Sequence, residues 1–98
     1  MIHKIFTIHD KAAAAYLPPF ILHAEGIAIR TFTDCINDTN HQFSRHPADY
    51  TLLCIGEFDD GKGQITTYQT HKPLGNGLSF VASSDETPQL DLVEACET

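Results

Sequence analysis

The segment with the clearest helical pattern, residues 25–37, limits the folds that are open to this chain. Apolar side chains recur there at helical spacing, at Ala28, Ile29, Phe32, Cys35 and Ile36. A single helix cannot bury such a face by itself, so the rest of the chain must supply a layer that packs against it. The segments on both sides carry the patterns of strands, and we therefore expect that layer to be a sheet.

Two segments predict the main strands of this sheet. The side chains of residues 2–9 divide into two alternating sets that would point to opposite faces of a strand. Residues 50–58 include the run Leu52–Ile55, which would be apolar on both faces of a strand. A run of that kind is typical of a central strand. The glycine-bearing turn at residues 59–63 predicts a hairpin into residues 64–68.

Prolines and glycines mark the connections between these elements. The prolines that precede residues 20–23 predict an edge strand there. One further helical turn is expected before Pro47. Residues 73–77 are expected to form a loop or the approach to a last short element that contains Leu78, Phe80 and Val81. Residues 11–16 are compatible with either a helical turn or the start of a strand.

The predicted fold class is α+β, with a small, mostly antiparallel sheet of three or four strands covered by one main helix. Residues 1–83 form a single domain in this prediction, and residues 84–98 form a flexible acidic tail with five Asp or Glu and no Lys or Arg. The net charge of −7 argues against unaided, non-specific binding of nucleic acid, because phosphate affinity comes mainly from Lys and Arg.

The sequence contains none of the motifs that would predict an enzyme. Three widely spaced cysteines without a CxxC pair predict free thiols in a reducing compartment, with Cys35 and Cys54 as small core residues. The six histidines lack the local spacing of metal ligands, although a composite site of Cys35 with His23 or His71 stays open. Phosphate loops, nucleophile elbows and dinucleotide fingerprints are absent. We expect no catalytic residue, no bound metal and no cofactor.

A candidate binding site lies in the segment His41–His46. Together with an arginine from the preceding helix, it brings both arginines of the chain and two histidines near an aromatic ring, a mixture that contacts the bases and phosphates of single strands. The candidate residues for binding nucleic acid or a protein partner are Arg30, His41, Phe43, Arg45 and His46. Structural roles stay open, with the Phe43 ring in the core and the two arginines paired with Asp34 and Asp49.

Three motifs follow one another along the chain: AIRTFTD at residues 28–34, QFSRHPADYTL at residues 42–52 and GEFDD at residues 56–60. Together they resemble the small non-structural protein of gokushoviruses, a branch of the Microviridae with circular single-stranded DNA genomes. The resemblance covers roughly residues 4–80. It implies a phage accessory protein, sometimes labelled DNA-binding, and it carries over no catalytic residue.

The resemblance and the composition together predict how the chain works. We expect a non-enzymatic protein in the cytoplasm of the bacterial host that assists single-stranded DNA replication or genome packaging through contacts with phage or host proteins. Direct binding of single-stranded DNA by Arg30 and residues 41–46 is the alternative. No membrane contact is predicted, because no run of about 18 apolar residues exists. A homodimer is expected, because a thin sheet with one helix leaves one face uncovered.

Overall fold

The computed structural model describes residues 1–82. Its elements in chain order are β1 (Ile2–Asp10), β2 (Ala15–Tyr16), β3 (Phe20–Leu22), α1 (Glu25–Asn37), α2 (Gln42–Arg45), β4 (Tyr50–Asp59) and β5 (Gln64–Asn76), with 3₁₀ helices at Pro47–Asp49 and Gly77–Phe80. The predicted helix and both predicted main strands are confirmed to within one residue at each end.

The strands form one antiparallel sheet in the order β2-β1-β4-β5. β4 lies between β1 and β5, which confirms the central position that its two-sided apolar pattern predicted. The short strands β2 and β3 both pair with the outer edge of β1, β3 opposite Lys4–Phe6 and β2 opposite His9 and Asp10. The prediction of an edge strand beside the double proline is therefore also confirmed.

The main core lies between α1 and one face of the sheet. Strand residues that alternate toward the helix pack against its apolar side, and the buried cluster consists of Phe6, Ile8, Ala28, Phe32, Ile36, Phe43, Tyr50, Leu52 and Cys54. This arrangement of one helix on an antiparallel sheet confirms the predicted α+β class.

The sheet is curled. Tyr16 on β2 and His71 on β5 belong to opposite edges of the strand order, yet their ring centroids are 5.9 Å apart. Thr7, which alternates away from the helix, is 3% exposed. The curl therefore covers part of the second face, which a flat sheet would leave open.

Two expectations need correction or completion. Residues 73–76 were expected in a loop or in the approach to a last short element. They continue β5 as far as the 3₁₀ helix Gly77–Phe80, which is possible because a proline is tolerated at the edge of a sheet, where one side of the strand needs no partner. Residues 11–16 divide between a turn and β2, so they contain no helix.

The segment after β5 is tied to the end of α1. The side-chain amide of Asn37 donates to the carbonyl of Phe80 at 2.9 Å, and its oxygen accepts from the backbone N–H of Ala82 at 2.7 Å. No helix within residues 1–82 is long and apolar enough to span a membrane. The predicted acidic tail, residues 84–98, lies outside the described residues.

Candidate binding surfaces

The helical turn α2 is positioned by the residue that precedes it. The Nδ1 atom of His41 accepts a hydrogen bond from the backbone N–H of Phe43 at 3.1 Å, and the hydroxyl of Ser44 donates to the carbonyl of His41 at 2.8 Å. The first of these bonds satisfies a backbone N–H that a helix start leaves without a partner, and the second holds Ser44 against the residue before the helix. His41 is therefore a capping residue, and its Nδ1 is already engaged.

Phe43 is buried in the core rather than displayed on the surface. Its ring centroid lies 4.3 Å from that of Tyr50, 4.4 Å from that of His41 and 6.0 Å from that of Phe32. A ring enclosed in this way cannot stack on a base. The core role that the sequence left open for Phe43 is the one that the structure gives it.

The charged members of the predicted site are exposed. Arg30 lies on the side of α1 away from the core, and Arg45 and His46 lie at the end of α2. Within residues 1–82 neither arginine forms an ion pair, so the pairings with Asp34 and Asp49 are not seen. The Phe32–Phe43 contact joins the two helices and places both arginines in the helical layer of the molecule.

A second surface lies on the face of the sheet that points away from α1. Four of the six histidines gather there in two groups. The ring of His3 lies 4.6 Å from that of His23, and the ring of Tyr16 lies 4.7 Å from that of His9 and 5.9 Å from that of His71. We call this surface, made by these five rings, the histidine face.

Sequence reasoning missed the histidine face. The equal parity of His3 and His9 along β1 was a visible signal. The positions of His23 and His71 depend on strand pairing and curl, which periodicity does not reveal. Cys35 packs against the core on the helical side, so a composite metal site with His23 or His71 does not form. No group of three or more potential ligands within residues 1–82 is arranged to hold a metal ion.

The histidine face includes one exposed apolar ring, Tyr16, and is flanked by two exposed isoleucines. Tyr16 is 54% exposed, Ile21 is 45% exposed and Ile65 is 60% exposed. Ile21 pairs with Ile5 and Ile65 pairs with Phe58, so both point to the same side of the sheet as the histidines. The surface therefore combines apolar side chains with rings that carry polar atoms, as protein interfaces do.

Two groups of polar side chains connect the strands of the sheet by hydrogen bonds. One carboxylate oxygen of Asp60 accepts from the amino terminus at 2.7 Å, and the other lies 2.8 Å from Nε2 of His3. Two hydrogen bonds lower the pKa of Asp60 to about 2: the one from the amino terminus has the larger effect, and the one from His3 has the next largest. In the second group, hydrogen bonds from Tyr68 and from Lys4 lower the pKa of Glu57, and the one from Tyr68 has the larger effect.

Cys54 lies in the core and Cys35 packs against it, as the sequence predicted for these two cysteines. Cys54 is fully buried and Cys35 is partly buried, and both are free. Burial, together with the nearby carboxylates of Asp34 and Asp38, raises the pKa of the Cys35 thiol. A raised pKa keeps a thiol protonated and poorly nucleophilic. Cys96 lies outside the described residues.

Comparison with known proteins assigns the chain to a family. Residues 3–80 match the family described as Phage ORF5 protein. Neither the comparison with curated proteins nor that with solved structures gave a match. Apart from Ile2, the first residue of β1, the matched range takes in every helix and strand of residues 1–82, as far as the last 3₁₀ helix. The chain therefore belongs to the Phage ORF5 protein family.

Proposed function

We propose that this phage protein is a non-enzymatic accessory factor that acts through contacts with other proteins during replication or packaging of the viral single-stranded genome. The observation that carries the proposal is the histidine face, with its exposed Tyr16 ring and its exposed neighbours Ile21 and Ile65. Grouped apolar and aromatic side chains on one face mark a contact surface more often than single exposed apolar residues do.

The resemblance to the gokushovirus non-structural protein supports the replication and packaging context. Its partners in this proposal are the replication or packaging proteins of the phage or of its bacterial host, met in the host cytoplasm. The protein acts as a homodimer, which increases the contact surface presented to such a partner.

A matched pair of substitutions tests the proposal. Ile21 on the histidine side of the sheet and Ile27 on α1 are 45% and 44% exposed, so serine at either position removes the same apolar side chain at equal exposure. Cells infected with phage carrying a tagged copy of the protein would be cross-linked, and the captured proteins identified by mass spectrometry. We expect wild type and Ile27→Ser to capture the phage replication initiator or procapsid proteins, and Ile21→Ser to lose them.

Two results would count against the proposal. One is capture that is equal for both variants, and the other is capture that never includes a phage or host protein of replication or packaging. Circular dichroism of both purified variants controls for loss of fold.

Direct binding of single-stranded DNA is a second candidate function. It is favoured by the exposure of Arg30 and Arg45, neither of which forms an ion pair within residues 1–82. Fluorescence anisotropy with an oligo-dT probe at low and high salt tests it, because phosphate contacts weaken steeply as salt rises. Absence of binding at low salt would remove this candidate and leave the protein-contact proposal standing.

A further inference from the structure

Within residues 1–82, the longest strand, β5, has a strand partner on one side only. The outer edge of β1 is covered by β2 and β3, which both pair with it. At the other end of the strand order, β5 pairs with β4 alone among residues 1–82. Its outer backbone N–H and C=O groups therefore face solvent along the stretch Gln64–Thr67, where its pairing with β4 is regular.

The sequence of this edge does little to prevent pairing. Proteins usually protect an open edge with lysine, proline or a bulge. The stretch Gln64–Thr70 contains no proline and no charged side chain, and Lys72 and Pro73 follow only after the first of two irregularities in the pairing of β5 with β4. Because the stretch is neutral, two copies can approach here despite a net charge of −7 on each.

We propose that β5 pairs antiparallel with β5 of a second copy of the chain, and so joins two sheets into one. This inference rests on the homodimer of the proposed function and names its interface. Two identical antiparallel strands in one sheet are related by a twofold axis perpendicular to that sheet. The axis passes at or beside Thr66, the middle of the stretch Gln64–Tyr68.

The proposed pairing covers an apolar side chain that is exposed in the monomer. With the axis at Thr66, Ile65 of each copy lies opposite Thr67 of the other, and the 60% exposed side chain of Ile65 gains a cross-strand neighbour. A perpendicular axis keeps both α1 helices on one side of the joined sheet and both histidine faces on the other. The dimer then presents a doubled histidine face to one partner.

The edge favours a second copy over face-to-face association. The centre of the histidine face is already covered by the curl, since Ile5 and Thr7 are buried there. In the part of the chain that the structure describes, the outer backbone groups of β5 have no strand partner, and the best partner for an open edge is another extended strand. An identical strand supplies one without any other component.

Substitutions at Thr67 test this interface. Thr67 is exposed and lies opposite Gly56 on β4, so a long side chain has room within the monomer. Thr67→Lys places two like charges near the axis, as does Thr67→Glu. Thr31→Lys on the exposed side of α1 is the matched control. Sedimentation velocity of the full chain over a range of concentrations would measure the dissociation constant of the dimer.

We expect wild type and Thr31→Lys to form the same dimer, and each Thr67 variant alone to weaken it at least about tenfold, because the two introduced charges lie diagonally across the axis on one face of the sheet and repel each other. Mixing Thr67→Lys with Thr67→Glu should restore a dimer, and native mass spectrometry should show it to be the mixed species. A wild-type chain that stays monomeric up to about 100 µM, or a dimer that both Thr67 variants leave intact, overturns the inference. Capture of phage partners that depends on Ile21 would still support the proposed function in either case.

Discussion

The Nε2 atom of His3 lies 2.8 Å from Oδ2 of Asp60, which ties the first strand to the turn between β4 and β5. The same carboxylate accepts from the amino terminus through its other oxygen at 2.7 Å. Asp60 therefore joins two cationic or potentially cationic groups at one end of the sheet, directly beside the His3–His23 ring pair.

Acid should release this contact, which gives the first prediction. The pKa of Asp60 is lowered from 3.8 to about 2 in the folded protein. A lowered pKa contributes stability that is fully present above the unfolded value and is lost as the pH falls through the folded value. We expect the thermal midpoint of wild type to fall more steeply between about pH 4 and pH 2 than that of Asp60→Asn, as measured by circular dichroism.

The control for this prediction removes another exposed carboxylate. Asp34→Asn changes an aspartate on α1 that forms no ion pair within residues 1–82. Its acid unfolding curve should keep the slope of wild type. If Asp60→Asn and wild type lost stability in parallel over this range, the contact would contribute nothing to the folded state.

The second prediction concerns two glycines that differ in surroundings. A methyl group on Gly77 would overlap the backbone carbonyl of Pro47 and approach Cδ1 of Ile36 to 2.7 Å, whereas one on Gly26 would meet nothing within 4 Å. Gly77→Ala should destabilise the protein by about 1–3 kcal/mol, because backbone atoms cannot move aside cheaply. Gly26→Ala should stabilise α1 by up to about 1 kcal/mol. Urea unfolding of both variants measures the difference, and equal effects would contradict the packing of the last 3₁₀ helix on Pro47.

Much of the fold could be predicted because its signals are local. Helical spacing in residues 25–37 and the two-sided apolar run of β4 each depend on neighbours in sequence. The length of β5 was missed because Pro73 and Gly75 usually end a strand, and their tolerance here depends on the open edge.

The candidate site was harder to predict because exposure is a tertiary property. Arg45 and Phe43 stand two residues apart, yet one is exposed and the other buried, since the ring of Phe43 meets Tyr50 and Phe32. The histidine face depends on contacts such as that between Tyr16 and His71, which are 55 positions apart in the chain. Contacts of this kind leave no mark on composition or spacing.

The third prediction uses a strained turn between β1 and β2. Ala14 has a φ of 54°, in the left-handed region that costs residues with a side chain about 1–2 kcal/mol. Ala14→Gly should stabilise the protein by about 0.5–1 kcal/mol, because the backbone strain that it removes from the folded state is larger than the effect of the conformational entropy that glycine adds to the unfolded chain. Ala13→Gly in the same exposed turn, where φ is negative, should destabilise it by up to about 1 kcal/mol. Thermal unfolding that moved both variants in the same direction would show that the turn is not strained at Ala14.

The fourth prediction separates structure from binding within residues 41–46. Phe43→Ala should lower the free energy of unfolding by about 3–5 kcal/mol, because it removes a buried ring from the core. Arg45→Ala should change it by less than about 0.5 kcal/mol, because the side chain is exposed. If the surface contacts DNA, Arg45→Ala should weaken oligo-dT binding and lower its salt dependence while the unfolding curve stays in place. Phe43→Leu, which keeps most of the buried volume, should leave binding unchanged. A Phe43→Leu variant that folded normally but lost the oligonucleotide would mean that this ring contacts the ligand after all, and that the packed position is not the one used in binding.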